Sequence, residues 1–390
     1  MKTLSGIIGD FSGKVYRVVR FVSENVDSAA YRTMASRMRG ETLFLSSPCF
    51  FLPGLGYHEN PRHEKDSPNN GNKKMSKYIL SYTFILCTVC SFQFTSAELT
   101  VRKNDETGQW LISENGKPVV QYNYETVPLP EGFLEKLTDG QIYAVARSNY
   151  IHPLFDLDGE PITMDWAVDH AHHRGIYWAW PEVGYKGELG DLHALQNVFA
   201  RPAGNIKATK ENDKVKLVAE SVWKWKDTES IVHETTTIVV HPLDKTGRKI
   251  DLEFRFKGLA DEVTLARRGT DAYGGLNIRM QPHVEQVIGA SKNDSASQPA
   301  WVFASWKSPK SEGRTEFTVF EKADNPDYPG QLIQFPEINW FQPTFPKANT
   351  RYLLKKEETL TLRYRLWIHT DGFDDTAREN AWKSFQNEKL

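Results

Sequence analysis

Apolar and polar residues alternate along much of the chain after residue 200, with the period expected for a β-strand that buries one face. The clearest runs are rich in β-branched and aromatic residues and occupy positions 215–225, 234–240, 250–256 and 360–368. Glycine-containing turn sequences separate such runs, at positions 114–116, 158–159 and 245–247. Long alternating runs separated by turns predict antiparallel sheets.

The C-terminus has a different period, which predicts one helix over residues 371–387. Two aspartates stand in its first turn, where a carboxylate favours the helix dipole. Its predicted apolar stripe consists of Phe373, Ala377, Ala381 and Phe385. Many strands and a single helix predict an all-β fold, a large antiparallel β-sandwich with a short C-terminal helix.

Residues 75–97 have the three parts of a secretory signal peptide. Met75 is followed by a lysine, a mostly apolar stretch and a small residue, Ala97, at the expected cleavage site. Because such a signal acts near the start of a protein, we expect the natural start at Met75 and interpret residues 1–74 as a spurious or disordered N-terminal extension. An unusually long leader or a signal anchor is the alternative. Cleavage near Ala97 predicts a periplasmic or secreted protein.

Composition changes at the same place. All three cysteines precede residue 98 and all eleven tryptophans follow it. We therefore expect residues 98–390 to form one β-sandwich domain that depends on a hydrophobic core and has no disulfide or membrane span. Acidic residues outnumber basic ones in this part, which argues against a nucleic-acid partner. It also lacks a phosphate-binding glycine loop and a nucleophile elbow. The oligomeric state stays open.

The densest chemistry lies at residues 169–175, which read Asp-His-Ala-His-His-Arg-Gly. Histidine titrates near neutrality and is the commonest metal ligand, so three within four positions indicate one wall of a site. If a strand starts here, Arg174, Trp178 and Trp180 share a face. A guanidinium beside two indoles suits a carbohydrate, because the rings cover its apolar faces. The alternative is that both indoles are core residues.

A second polar face is predicted further along the chain. Arg279, Gln281, His283 and Glu285 alternate, so an extended chain would align them beside the glycine pair at 274–275. A solvated strand face is the alternative.

Two catalytic hypotheses follow for a sugar bound between these segments. In the first, a histidine acts as general acid (His170 or His172) and a carboxylate as base (Asp169 or Glu285). The remaining side chains would bind the substrate: Arg174, Arg279, Trp178, Trp180, His173 and His283.

In the second hypothesis, His170, His172 and His283 hold a divalent metal, with a carboxylate as a further ligand. The predicted cofactor is therefore either none or one divalent metal. A third possibility is a non-catalytic carbohydrate-binding sandwich. The clustered histidines argue against it, because binding modules rely on exposed aromatic platforms.

Several motifs together resemble the PmoA-like domain family. The residues that carry the resemblance are His152-Pro153, Gly159-Glu160-Pro161-Ile162-Thr163, the histidine block at 169–175, Tyr273-Gly274-Gly275-Leu276 with Arg279, and Tyr364-Arg365 with His369 and Asp371-Gly372. The resemblance implies an exported bacterial protein with a supersandwich like that of galactose mutarotase. It implies a small carbohydrate or an oligosaccharide as ligand and adds His152 to the binding residues. The family's methane oxygenase label does not fit a chain without membrane spans. We therefore predict an exported epimerase, lyase or hydrolase that acts on a sugar or glycoside.

Overall fold

The computed structural model describes residues 5–9, 15–19, 98–291, 299–310, 312–370 and 374–388. The chain divides into two compact units, Met1–Cys87 and Thr88–Leu390. The described part of the first unit is an antiparallel hairpin of β1 (Ser5–Gly9) and β2 (Val15–Val19). The predicted signal peptide, and all of the predicted extension except this hairpin, lie outside the described residues. The start site and the export prediction therefore stay predictions.

The second unit is built from antiparallel sheets, as the alternation predicted. The first sheet has eight strands, in the spatial order β10 (Val198–Glu211), β11 (Lys214–Trp225), β12 (Glu229–Val240), β13 (Arg248–Gly258), β22 (Thr359–Thr370), β18 (Arg314–Glu321), β17 (Trp301–Lys307) and β16 (Val287–Ala290). The second sheet also has eight, in the order β19 (Leu332–Phe335), β20 (Trp340–Pro343), β15 (Gly275–Arg279), β7 (Ile176–Ala179), β6 (Tyr150–Leu154), β5 (Lys117–Asn123), β4 (Gln109–Glu114) and β3 (Leu99–Asn104).

The described residues of this unit also form a small sheet of four strands, four short 3-10 turns and one α-helix. The small sheet has the order β21 (Tyr352–Leu354), β14 (Val263–Ala266), β8 (Glu182–Tyr185) and β9 (Glu188–Gly190). The 3-10 turns are Leu134–Lys136, Gln141–Tyr143, Arg268–Thr270 and Pro336–Ile338. None of the described helices combines the length and the hydrophobicity that a membrane-spanning helix requires.

The main core lies between the two large sheets. Every second residue of β11 is buried, which is the pattern that its sequence predicts. On the second sheet, Trp178 and Trp180 stack with ring centroids 4.5 Å apart, and both contact Phe256 of the first sheet. Both indoles are at least 96% buried. The prediction that they bind substrate is therefore wrong, because burying such large apolar rings stabilises the core instead.

The C-terminal helix, α1 (Asp375–Asn387), covers the other side of the first sheet. It begins at Asp375. Asp374, which the sequence had placed in the first turn of a helix from residue 371, is its cap, because the Asp374 carboxylate accepts a hydrogen bond from the Ala377 N–H at 2.9 Å. Trp382 and Phe385 pack against aromatic side chains of β17, β18 and β22. Phe373, from the predicted stripe, lies outside the described residues. The predicted sandwich with one short C-terminal helix is confirmed.

Candidate active site

Four imidazoles lie together on the face of β7 that points away from the main core. His170, His172 and His173 come from the turn that precedes β7, and His193 comes from the loop between β9 and β10. The ring centroids of His172 and His193 are 4.5 Å apart. His173 lies 4.7 Å from His170 and 4.7 Å from His172. Two segments that are twenty residues apart in sequence thus form one histidine cluster.

The turn that carries three of these histidines is fixed by its own backbone. The His173 N–H donates to the His170 carbonyl at 2.9 Å, and the Gly175 N–H donates to the Met164 carbonyl at 2.8 Å. Gly175 has a φ of 62°, and a Cβ at this position would collide with the carbonyl of Ile151. Only glycine fits there without strain, so it lets the chain turn sharply from the histidine block into β7.

The loop that carries His193 is held by two charged side chains. The Asp191 carboxylate accepts a hydrogen bond from the Ala194 N–H at 2.8 Å. From the other side, the Arg147 guanidinium donates to the carbonyls of Leu192 and His193 at 2.9 and 2.6 Å. Because these bonds fix the loop backbone, the His193 ring has a defined position in the cluster.

The Tyr177 hydroxyl sets the proton position on His193. It donates to the His172 carbonyl at 2.9 Å, and the same oxygen lies 2.9 Å from His193 Nδ1. A carbonyl can only accept, so the hydroxyl proton points to His172 and the hydroxyl oxygen must accept from Nδ1–H of His193. The neutral His193 ring therefore carries its lone pair on Nε2.

The three inner histidines are neutral at ordinary pH. Burial, and then the neighbouring charge of His170, lower the pKa of His172 to about 3. Burial and the adjacent imidazoles also lower the pKa of His173 and of His193 far below the usual value. His172 is thus unsuited to the predicted role of general acid, because near neutrality its ring lacks the second, acidic proton of an imidazolium.

His170 differs from the other three because its side chain is 38% exposed. Its Nδ1 lies 3.3 Å from an Asp169 oxygen, and Arg279 clamps the same carboxylate with hydrogen bonds of 2.7 and 2.8 Å. Partial burial raises the pKa of Asp169, but the bonds from Arg279 outweigh it and the net shift is downward. Asp169 is therefore an anion at ion-pair distance from His170, and the two distant segments predicted to form the site meet at its ion pair with Arg279.

A cleft of about 440 Å³ opens above the cluster. Its lining combines titratable groups with aromatic rings: Tyr143, His170, His172, His173, Asp191, His193, Ala194, Arg268, Tyr273, Phe335, Glu337, Ile338 and Trp340. A second hollow of about 450 Å³ shares Tyr143, Asp191, Arg268 and Tyr273 with it. The two hollows adjoin along these four shared side chains. Three of the 3-10 turns supply wall residues to the first hollow.

A family model matches residues 109–383, which include the whole cluster and cleft; it describes a family of unknown function, DUF6807. The chain belongs to this family. No curated protein is significantly similar to this DUF6807 chain. Among solved structures, a polysaccharide lyase is similar at 14% identity with a TM-score of 0.30, over 72% of this chain and 33% of the lyase chain. The DUF6807 chain thus spans about a third of that lyase.

Two predicted site residues of the DUF6807 chain lie away from the cluster. The His283 ring stacks on Trp306 at 4.3 Å, and the Glu285 side chain is 64% exposed near Arg314. Both predictions assumed that an extended strand continues beyond Arg279. β15 ends at Arg279, however, and Glu285 has a φ of 53°, so the alternation stops there. Glu285 as base and His283 as binder or metal ligand are therefore wrong.

Two further predicted binding residues have structural roles. The Arg174 guanidinium is fully buried, ion-paired with Asp165 and hydrogen-bonded to the Tyr150 hydroxyl at 2.6 Å. It precedes the sharp turn at 175, so it does not share a strand face with the tryptophans. His152 is partly buried with Nδ1 3.0 Å from the Thr163 hydroxyl. Neither Arg174 nor His152 lines the cleft.

Sequence reasoning placed Asp169, His170, His172, His173 and Arg279 in one site, and the structure brings these five together. It missed His193 and the cleft walls. Tyr273 lies in a motif that the resemblance had singled out. Most of the other missed residues come from short loops and 3-10 turns without periodicity, whereas Phe335 ends β19 and Trp340 begins β20. The sole signal for His193 is an aspartate two residues before it.

Proposed function

We propose that this protein is an enzyme that acts on a carbohydrate in the cleft above the histidine cluster. One observation carries the proposal. His170 is a partly exposed imidazole, its Nδ1 lies 3.3 Å from a carboxylate that Arg279 clamps, and it lines a cleft of about 440 Å³. A histidine with an orienting carboxylate is an arrangement that transfers protons during catalysis.

The cleft walls support a sugar as the substrate. Tyr143 and Tyr273 offer ring faces that can cover the apolar side of a pyranose. Arg268, Asp191 and Glu337 offer hydrogen-bond partners for hydroxyl groups. The cleft volume lies in the usual range of about 300–1,000 Å³ for small-molecule sites. The adjoining hollow gives room for a further sugar unit, so we favour an oligosaccharide over a single sugar.

In the proposed reaction, His170 is the proton-transfer residue. Its Nδ1 faces Asp169, so Nε2 is the atom that would exchange a proton with the substrate. Asp169 is then the orienting carboxylate and not the general base that the sequence analysis predicts. Proton transfer of this kind serves hydrolysis, elimination or epimerisation.

The test is turnover on a panel of neutral and acidic oligosaccharides. Hydrolysis releases reducing ends, elimination adds an ultraviolet-absorbing double bond, and epimerisation changes the NMR spectrum without changing the mass. The variant His170→Asn should lower kcat by about 100-fold or more, which is the usual contribution of a positioned acid or base. Substrate affinity should change little, because the ring is exchanged for a side chain that still donates.

A matched control is His233→Asn, which removes a partly exposed histidine from β12 next to Glu220. Its turnover should equal that of the natural protein. If the protein binds an oligosaccharide but converts none, and the His170, His172 and His173 variants keep that affinity, the enzymatic proposal is wrong and a binding module is the better description.

We also propose that the protein is exported and that its relationship to PmoA-like proteins is real. Export is supported by the signal-like sequence at 75–97, and the relationship by the motifs quoted above. N-terminal sequencing of protein recovered from the periplasm or medium should begin at or near Glu98. Recovery of the protein in the cytosol with residues 75–97 still attached would contradict export.

A further inference from the structure

We propose that His172, His173 and His193 together bind one divalent first-row metal ion of the zinc class. One ring nitrogen from each lies within 4.8 Å of the other two. Zn²⁺ binds histidine nitrogens at about 2.0–2.1 Å, which puts tetrahedral ligands about 3.4 Å apart. Each ring would therefore need to move inward by less than about 1 Å to close around an ion.

The hydrogen bonding of His193 is the kind that metal-binding histidines have. Its Nδ1–H donates to the Tyr177 hydroxyl, which leaves the Nε2 lone pair available. Metal-ligating histidines usually donate the proton of the other ring nitrogen to an oxygen in this way, which fixes the tautomer and the ring orientation. Tyr177 is itself anchored, since the Arg147 guanidinium lies 4.1 Å from its ring centroid.

His172 supplies an independent observation. Its Nδ1 is buried and has no hydrogen-bond partner among the residues that the structure describes. Leaving a buried polar atom without a partner costs about 1–3 kcal/mol. Packing of neutral imidazoles against one another, without hydrogen bonds between them, is costly in a purely structural role. A bound ion would offset this cost by taking up their lone pairs, since neutral rings are the ligating form.

His173 requires one local change. Arg279 Nη1 lies 3.4 Å from His173 Nδ1, and an arginine can only donate. This long contact favours the tautomer with a proton on Nε2. Binding an ion through Nε2 would move that proton to Nδ1 and release Arg279 Nη1, whereas Nη2 keeps its two bonds to Asp169.

Two of the guanidiniums near the ion site are paired with carboxylates, whereas Arg147 donates to the His193 carbonyl at 2.6 Å. Arg279 is ion-paired with Asp169, and Arg268 is ion-paired with Asp191 at 2.6 Å. Glu337 adds a carboxylate to the cleft wall. Three protein ligands next to an open cleft leave a coordination position for water or a substrate oxygen, as in catalytic zinc sites. A catalytic role for the ion rests on the proposed function, but metal binding does not.

The test uses the whole protein without any sugar. After treatment with a chelator, the protein is titrated with Zn²⁺, and with Co²⁺ as a coloured probe of low-coordinate nitrogen ligation. Elemental analysis should find one ion per chain in the natural protein and in the control His233→Asn. His193→Asn and His172→Asn should each weaken binding by about 100-fold or more, and Tyr177→Phe by about 10- to 100-fold.

Circular dichroism shows whether each variant is folded. The half-buried His172 gives a second route if removing the buried His193 prevents folding. Absence of stoichiometric metal in the reloaded natural protein would overturn the proposal, as would undiminished binding in folded His193→Asn or His172→Asn. Metal binding without sugar turnover would overturn only the proposed function.

Discussion

The aromatic residues of this protein include some that are buried in the core and others that are exposed in the cleft. Trp178 and Trp180 are aromatic residues of the kind that bind sugars, but they are buried in the main core. Tyr143 is 37% exposed and lines both hollows of the cleft. An aromatic side chain therefore indicates a sugar platform only where the fold leaves its ring face open to solvent.

We predict that two aromatic truncations change different properties, one the stability and the other the sugar affinity. Trp178→Ala should lower the free energy of unfolding by about 3–5 kcal/mol, because it opens a large cavity in the core. Tyr143→Ala should change stability by less than about 0.5 kcal/mol, as expected for a surface position, but should weaken oligosaccharide binding. Chemical unfolding and calorimetric titration measure the two quantities. A stable Trp178→Ala protein with reduced sugar affinity would contradict this assignment.

The candidate site was predictable at this scale only where chemistry was concentrated in sequence. The histidine block indicated a site without any knowledge of the fold, because its density of imidazoles has no structural reason. His193 could not be found in this way, since it is a lone histidine in a loop that Arg147 and Asp191 hold in place. Glu285 was misassigned because an alternating pattern does not show where a strand ends.

At the scale of elements, strands and helix follow local sequence closely. The predicted run 215–225 corresponds to β11, Lys214–Trp225, and the predicted run 360–368 lies within β22, Thr359–Thr370. Alternation and helical period are local properties, so they are readable without the fold. The order of strands within each sheet depends on contacts distant in sequence, and local patterns do not contain that information.

A buried carboxyl at the end of β18 should make stability depend on pH. Burial raises the pKa of Glu321, the last residue of β18, from 4.5 to about 7. Between pH 4.5 and pH 7, the unfolded chain therefore binds fewer protons than the folded chain. The contribution of Glu321 to stability is fully present below pH 4.5 and is lost as the pH rises through 7.

We predict that Glu321→Gln removes this dependence. Glutamine stays neutral and still offers an oxygen to the Gly330 N–H, which donates to Glu321 at 2.8 Å. Relative to the natural protein, the variant should gain up to about 3 kcal/mol in unfolding free energy between pH 5 and pH 8. Urea unfolding at both pH values measures the gain. Parallel pH profiles for the two proteins would show that Glu321 is not the titrating group.

All the described residues of the core and of the candidate site lie from Leu99 onward. The residues of the main core, the α1 cluster and the histidine site all lie in the second unit, Thr88–Leu390. The family model matches residues 109–383 of this unit. The change in composition near residue 98 predicts a single β-sandwich domain over residues 98–390. A shortened chain tests this prediction directly.

We predict that a shortened chain beginning at Glu98 folds like the full chain. Its Tm should differ by less than about 2 °C, which corresponds to under about 1 kcal/mol for a domain of this size. Metal uptake at the histidine cluster should be unchanged. Differential scanning calorimetry and elemental analysis give both values, and an unfolded or insoluble shortened chain would show that earlier residues are required.

The floor and the walls of the cleft come from different kinds of structure. The imidazoles come from a turn and a loop that lie against β7 of the second sheet. Tyr143, Arg268 and Glu337 belong to three separate 3-10 turns. None of these three side chains belongs to the main core, although Arg268 is ion-paired with Asp191 in the loop that carries His193. Under the proposed function, a directed library at Tyr143 and Glu337 should therefore exchange one glycan for another without changing the proton-transfer residue.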